Sequence, residues 1–257
     1  MKNFTITCFL FIALFLLSCK SETTSSSQGS DATEEQIKTE SEELLEKAIE
    51  GNGGWANWKS LDTIQFYKTT KLYLEDGTIE DSTFQLHTYA MYPHMNGQYS
   101  YDKDGSKITV KYENGTISKL IDEKIVDLSA EESKKLKLGF LGAQFVMCLP
   151  YKLDDPGVIL KKEEGTLEGK NVDIIKASYS TENSNHTKTH DWWHYVDKDN
   201  GKLLGYKVHH APTYAQVINV NTTEIKGVSF PTYRKTYRVT KDDEKQFVRG
   251  EFWYEYL

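Results

Sequence analysis

Turn chemistry recurring between alternating segments constrains this chain most. Glu75-Asp76-Gly77, Asp102-Lys103-Asp104-Gly105 and Glu113-Asn114-Gly115 each set a short polar side chain beside glycine, the pairing that closes tight hairpins. The neighbouring segments alternate with a period of two. Along Ile64, Phe66, Thr70, Leu72 and Leu74 one face is largely apolar, while Gln65, Thr69 and Lys71 face away; Lys68 breaks the pattern. A further strand runs from about Phe84 to Met91. Turns spaced 10 to 28 residues apart indicate an antiparallel meander rather than parallel strands with helical crossovers.

Two helices interrupt the strands. From Thr33, with Glu34 and Glu35 favouring an N-terminus, Ile37, Leu44, Leu45, Ala48 and Ile49 recur at helical spacing until Gly51-Asn52-Gly53-Gly54. A short turn with Trp55 and Trp58 is expected to plug this helix onto the strands. Ser129-Ala130-Glu131-Glu132 has the form of a capping box and opens a helix over residues 130–147, ended by Pro150. Leu138, Phe140, Leu141, Phe145, Val146 and Met147 make it apolar over much of its circumference, so it should be largely enclosed. The adjacent carboxylates of Asp154-Asp155-Pro156-Gly157 read as turn formers, not as an acid–base pair. Strands return at Val172–Tyr179, Trp192–Val196, Leu203–His210, Ala215–Asn221, Val228–Val239 and Gln246–Leu257. The expectation is an α+β fold, one domain over residues 33–257, in which a single antiparallel sheet of about ten strands wraps two helices.

The N-terminus supplies an address. Lys2 precedes an apolar run from Cys8 to Leu17, too short to span a bilayer. Leu16-Leu17-Ser18-Cys19 resembles the lipobox of bacterial lipoproteins, which implies removal of residues 1–18 as a signal peptide and acylation of Cys19. Residues 20–32 hold no large apolar side chain, so residues 19–32 read as the lipidated cysteine and a flexible tether. Losing Lys2 moves the formal charge from −7 to −8. An acidic chain without a basic run argues against nucleic acid and against electrostatic docking to an anionic membrane, so the acyl anchor must hold the protein there. With Cys8 removed and Cys19 acylated, only Cys148 remains, in an apolar setting that leaves it inert. Lys20 after the cysteine differs from the Asp-type inner-membrane retention signal, which directs the expectation to an outer-membrane lipoprotein facing periplasm or cell surface, a monomer.

The layout resembles the lipoprotein-carrier (Lol-type) architecture, in which a strongly curved antiparallel half-barrel wraps helices around a greasy cavity. Asn52-Gly53-Gly54, Pro150-Tyr151-Lys152-Leu153-Asp154-Asp155-Pro156-Gly157, Asp191-Trp192-Trp193-His194-Tyr195, Val208-His209-His210 and Arg234-Lys235-Thr236-Tyr237-Arg238 are also similar to a bacterial lipoprotein family defined as a domain of unknown function. The resemblance implies a fold and brings no activity with it.

Two constellations could carry chemistry. His186, His190, His194, His209 and His210 crowd together with Asp191 among them. If the 197–201 turn is centred on Lys198–Gly201, His190 falls opposite His209; a two-residue Asn200-Gly201 turn sets Asp191 opposite His210. Either gives two or three ligands out of His190, His209, His210 and Asp191, a borderline set for the metal-assisted hydrolase that is the alternative to a non-enzymatic protein. The second constellation is aromatic. Trp192, Trp193, Phe145, Phe252 and Trp253 would line a concave sheet suited to a lipid or other apolar molecule, or else pack on the 130–147 helix in a purely structural module. No glycine-rich phosphate loop, nucleophile elbow or Cys–His couple is present, and no cofactor is implied.

Overall fold

The computed structural model describes residues 39–92, 96–179 and 191–257. The described residues open with α1 (Glu40–Gly51) and α2 (Gly54–Lys59). Strands β1 (Thr63–Tyr73), β2 (Ile79–Ala90), β3 (Asn96–Lys103), β4 (Ser106–Glu113), β5 (Thr116–Ile121) and β6 (Lys124–Val126) follow as a meander. After α3 (Ala130–Met147) and a 3-10 turn at Tyr151–Asp154, a second meander holds β7 (Val158–Leu167), β8 (Lys170–Tyr179), β9 (Trp192–Asp197) and β10 (Leu203–His210). It ends with β11 (Thr213–Ile225), β12 (Val228–Val239) and β13 (Lys245–Tyr256).

All thirteen described strands form one sheet, in the order β6-β5-β4-β3-β2-β1-β13-β12-β11-β10-β9-β8-β7. The two meanders meet where β1 pairs antiparallel with β13, Phe66 opposite Tyr256 and Leu72 opposite Gly250. The sheet does not close, and β6 and β7 are its edges. Because α3 follows one edge strand and precedes the other, the chain carries it across the concave side. Its first half lies by β4 and β5, where Lys137 Nζ donates to the Gly115 carbonyl; its last turn reaches Arg234 of β12, whose guanidinium donates to the Val146 carbonyl.

Both helix starts follow from their caps. Ser129 accepts from the Glu132 backbone N–H while the Glu132 carboxylate accepts from the Ser129 N–H, and Thr39 and Glu42 repeat the exchange. The Thr39 cap starts the described helix at Glu40; the expected start at Thr33 lies outside the described residues. The sheet has thirteen strands where about ten were expected, and β6 and β7 are the two that no turn or alternation signal announced. Asp122 and Glu123 turn β5 into β6 with φ of 47° and 66°, a turn that normally announces itself with glycine and here does not. Edge strand β7 hides its alternation behind Lys161-Lys162-Glu163-Glu164.

The core lies between the concave face and the helices. Leu44, Leu45, Ala48 and Ile49 of α1, Phe140, Phe145 and Met147 of α3, and Phe66, Tyr89, Val110, Ile175, Val196 and Phe230 of the sheet share one buried cluster. The tryptophans pack on the 3-10 turn rather than on the strand that follows them: buried Trp58 stacks on Tyr151 with ring centres 4.2 Å apart, and Trp55 meets the same ring edge-on. Asn52 ties the end of α1 down. Its amide donates to the Ala48 carbonyl at 2.6 Å and its backbone carbonyl accepts from Tyr151 Oη and the Ser229 N–H. Gly53, at φ 119°, is held so close that a β-carbon would stand 2.2 Å from the Gly227 carbonyl oxygen.

Candidate functional site

Side chains on alternate positions of the central strands look into the concavity, and the helices cover only part of them. In the covered part, Phe140, 1% exposed, packs on Tyr89, Tyr99 and Tyr112. His87 stacks flat on Phe66 with centres 5.1 Å apart. Gln85 Oε1 can only accept, so His87 Nε2 carries the hydrogen that it receives, and Nδ1 is left to accept from Tyr89 Oη at 2.7 Å. Burial, with the nearby Lys68 charge, pushes the His87 pKa down to about 3 and keeps the ring neutral.

The uncovered part lies over β13, β1 and β2. Phe252, Thr70, Lys68 and Gln85 are all partly exposed there, with Leu72 and Tyr101 beside them. Lys68 pairs across the strands with Tyr254 on one side and Gln85 on the other, and its ammonium lies 5.3 Å from the Phe252 ring centre. Arg234, 4% exposed, pairs with Phe252 from β12. Its Nε donates to Asn219 Oδ1 and one terminal nitrogen to the Val146 carbonyl, where the exposed end of the α3 dipole suits a cation. The other, Nη1, has no partner among the described residues, and a cavity of about 10 Å³ lined by Arg234, Asn219, Met147 and Leu203 has room for one water. Neither Lys68 nor Arg234 has an ion-pair partner among the described residues.

The five aromatic residues expected to line one cavity divide between two faces. Trp192 and Phe145 meet edge-on at 5.3 Å on the concave side, and Phe252 lies further along it. Trp193 and Trp253 are their strand neighbours and therefore point outward. Trp193 packs with Leu167, Val172, Ile174 and Tyr195 in a small convex cluster, beneath the ammonium groups of Lys176 and Lys207. Trp253 stacks on Tyr233.

The histidine hairpin takes neither expected register. Leu203 pairs with Val196, but an irregularity between Leu203 and Gly205 shifts the ladder, and Val208 pairs with Trp192. Asp191 therefore stands opposite His209, whose N–H donates to its carbonyl at 3.0 Å. His209 stacks on Tyr214, and His210, the next residue, projects to the other face. His186 and His190 lie outside the described residues. No group of three or more His, Cys, Asp or Glu able to hold a metal occurs among the described residues.

His194, one of the histidine cluster, is fully buried beside Trp192 and Tyr206, and neither ring nitrogen has a hydrogen-bond partner among the described residues. Desolvation drives its pKa down to about 3. Cys148 is also fully buried, and burial pushes its thiol pKa far up, so it is no nucleophile at neutral pH. No described helix is long and apolar enough to cross a membrane.

These features define an open, strongly curved antiparallel sheet with helices laid in its concavity, the α+β half-barrel that the sequence resemblance implied. No family model and no curated protein matches the chain. Among solved structures it is similar to a LolA superfamily protein from Nitrosomonas europaea, with TM-score 0.50 and 9% identity over 84% of this chain and 91% of that one. A DUF1329 family protein from Desulfovibrio piger gives TM-score 0.51 and 9% identity over the same shares. A putative outer membrane lipoprotein-sorting protein domain from Vibrio parahaemolyticus gives 0.49 and 10%, covering 83% and 91%. At such identities the likeness is one of fold.

Proposed function

We propose that this chain is a lipid-anchored protein of the bacterial outer membrane whose concave face binds a lipid or other apolar molecule without catalysis. Residues 1–18 are removed, Cys19 carries the anchor, and residues 20–32 hold the domain of residues 33–257 clear of the headgroups. The observation that carries the ligand is the half-uncovered floor, where Phe252, Leu72 and Tyr101 remain partly exposed on the side where most sheet residues are buried. The lipoprotein-carrier resemblance supports this reading. A competing reading, a structural module without ligand, draws on how Phe140 and Phe145 seat α3 in the other half.

Native mass spectrometry of protein purified from membranes separates the two. The expected spectrum shows an intact chain beginning at acylated Cys19 with a non-covalent lipid adduct. Repeated absence of any adduct would favour the structural module, and an unmodified Cys19 would overturn the anchoring.

A further inference from the structure

Lys68 is the one residue that breaks the apolar alternation of β1, and the structure places it on the concave floor. A lysine on a ligand-facing surface with no acid paired to it among the described residues needs a reason. Its neighbours supply one. Gln85, directly opposite on β2, has its amide oxygen occupied by His87 Nε2, so its amide nitrogen is left to donate. Thr70, two residues along β1 on the same face, adds a hydroxyl. Asp81, the acid of β2 on this face, is four residues from Gln85, about 13 Å along the strand. Arg234, two strands away, adds further positive potential. Three donor-bearing residues thus occupy neighbouring positions of the concave face, beside apolar Phe252 and Leu72.

From this geometry we infer that Lys68, Gln85 and Thr70 form an anion-reading subsite, and that the bound molecule is a long-chain carboxylate whose head sits on Lys68 and whose chain lies along Phe252 and Leu72. The inference rests on the ligand-binding reading above and names its chemical class. One ammonium flanked by two neutral donors matches a monoanion. Charge-assisted bonds of this kind are the strong ones, and the open side of the floor lets the headgroup stay near water.

Calorimetric titration of the mature chain carrying Cys19→Ser, so that no covalent acyl chain competes, tests it with dodecanoate and with uncharged dodecanol. Dodecanoate is expected to bind at least about tenfold more tightly. Lys68→Gln should remove that preference, bringing dodecanoate to within about twofold of dodecanol, and Lys68→Arg should retain it. Lys71→Gln, three residues away on the outer face, should change nothing. Equal affinity for the two probes would overturn the subsite and leave the apolar-ligand reading standing. A preference that survives Lys68→Gln would overturn the role of Lys68. Failure of both probes to bind would overturn the parent reading and the inference with it.

Discussion

Replacing His194 with leucine should make the protein less sensitive to acid. The ring is fully buried against Trp192 and Tyr206 with both nitrogens unpartnered among the described residues, so the folded state holds it neutral, its pKa depressed to about 3. In the unfolded chain the imidazole protonates with a pKa of about 6.5. A depressed folded pKa gives a contribution that is complete above about pH 6.5 and is lost as pH falls towards 3. At pH 5 the unfolded imidazole lies about 1.5 units below its pKa, which at about 1.36 kcal/mol per unit is a loss of about 2 kcal/mol relative to pH 8. His87, also held near 3, adds a similar loss, so the two together cost about 4 kcal/mol. Asp197 and Glu251, whose pKa values are lowered, contribute in the same direction, but equally in both proteins. Urea unfolding followed by tryptophan fluorescence from pH 8 to pH 5 measures the difference. His194→Leu should be neutral or slightly stabilising at pH 8, since it orphans no partner, and should lose about 2 kcal/mol less than the parent on going to pH 5. Identical pH dependence in the two proteins would show that the ring is not held neutral and would refute the reasoning.

Three further outcomes follow from particular contacts. Phe140→Ala removes the ring that seats α3 on Tyr89, Tyr99 and Tyr112, and should cost about 3–5 kcal/mol, read as a fall of about 6–20 °C in thermal unfolding. Gly201→Ala puts a β-carbon 2.3 Å from the Lys47 carbonyl oxygen at a φ of 71°, and should destabilise by at least about 2 kcal/mol in the same assay. Elemental analysis of the purified protein should find no stoichiometric zinc; zinc that disappears on replacing His209 and His210 would reinstate the hydrolase reading.

Local chemistry was legible in the sequence, and long-range register was not. The capping box at Ser129 and the glycine hairpins depend on residues close in the chain, whereas Tyr151, the ring on which Trp58 stacks, is far from it in sequence. Asp122-Glu123 and the charged β7 escaped because a positive-φ turn without glycine and an edge strand with lysines carry no local signal. The aromatic site was half legible: Trp192 with Trp193, and Phe252 with Trp253, are neighbours that strand geometry sends to opposite faces. The histidine register turned on an irregularity at Leu203–Gly205 that turn type alone does not reveal. Lys68 stood out as an exception, yet its setting beside Phe252 and Tyr254 required the pairing of β1 with β13, whose residues are far apart in sequence. His194 was visible only as one of the clustered histidines; its burial without a partner among the described residues is a property of the fold.

The claim that the concave floor holds the ligand is tested most directly with benzoylphenylalanine at Thr70 and, separately, at Thr69, its strand neighbour on the outer face. Irradiating each variant in cells and extracting the protein for mass analysis should give a lipid-sized adduct from position 70 and none from position 69. Equal labelling at both positions, or labelling from position 69 alone, would contradict the account.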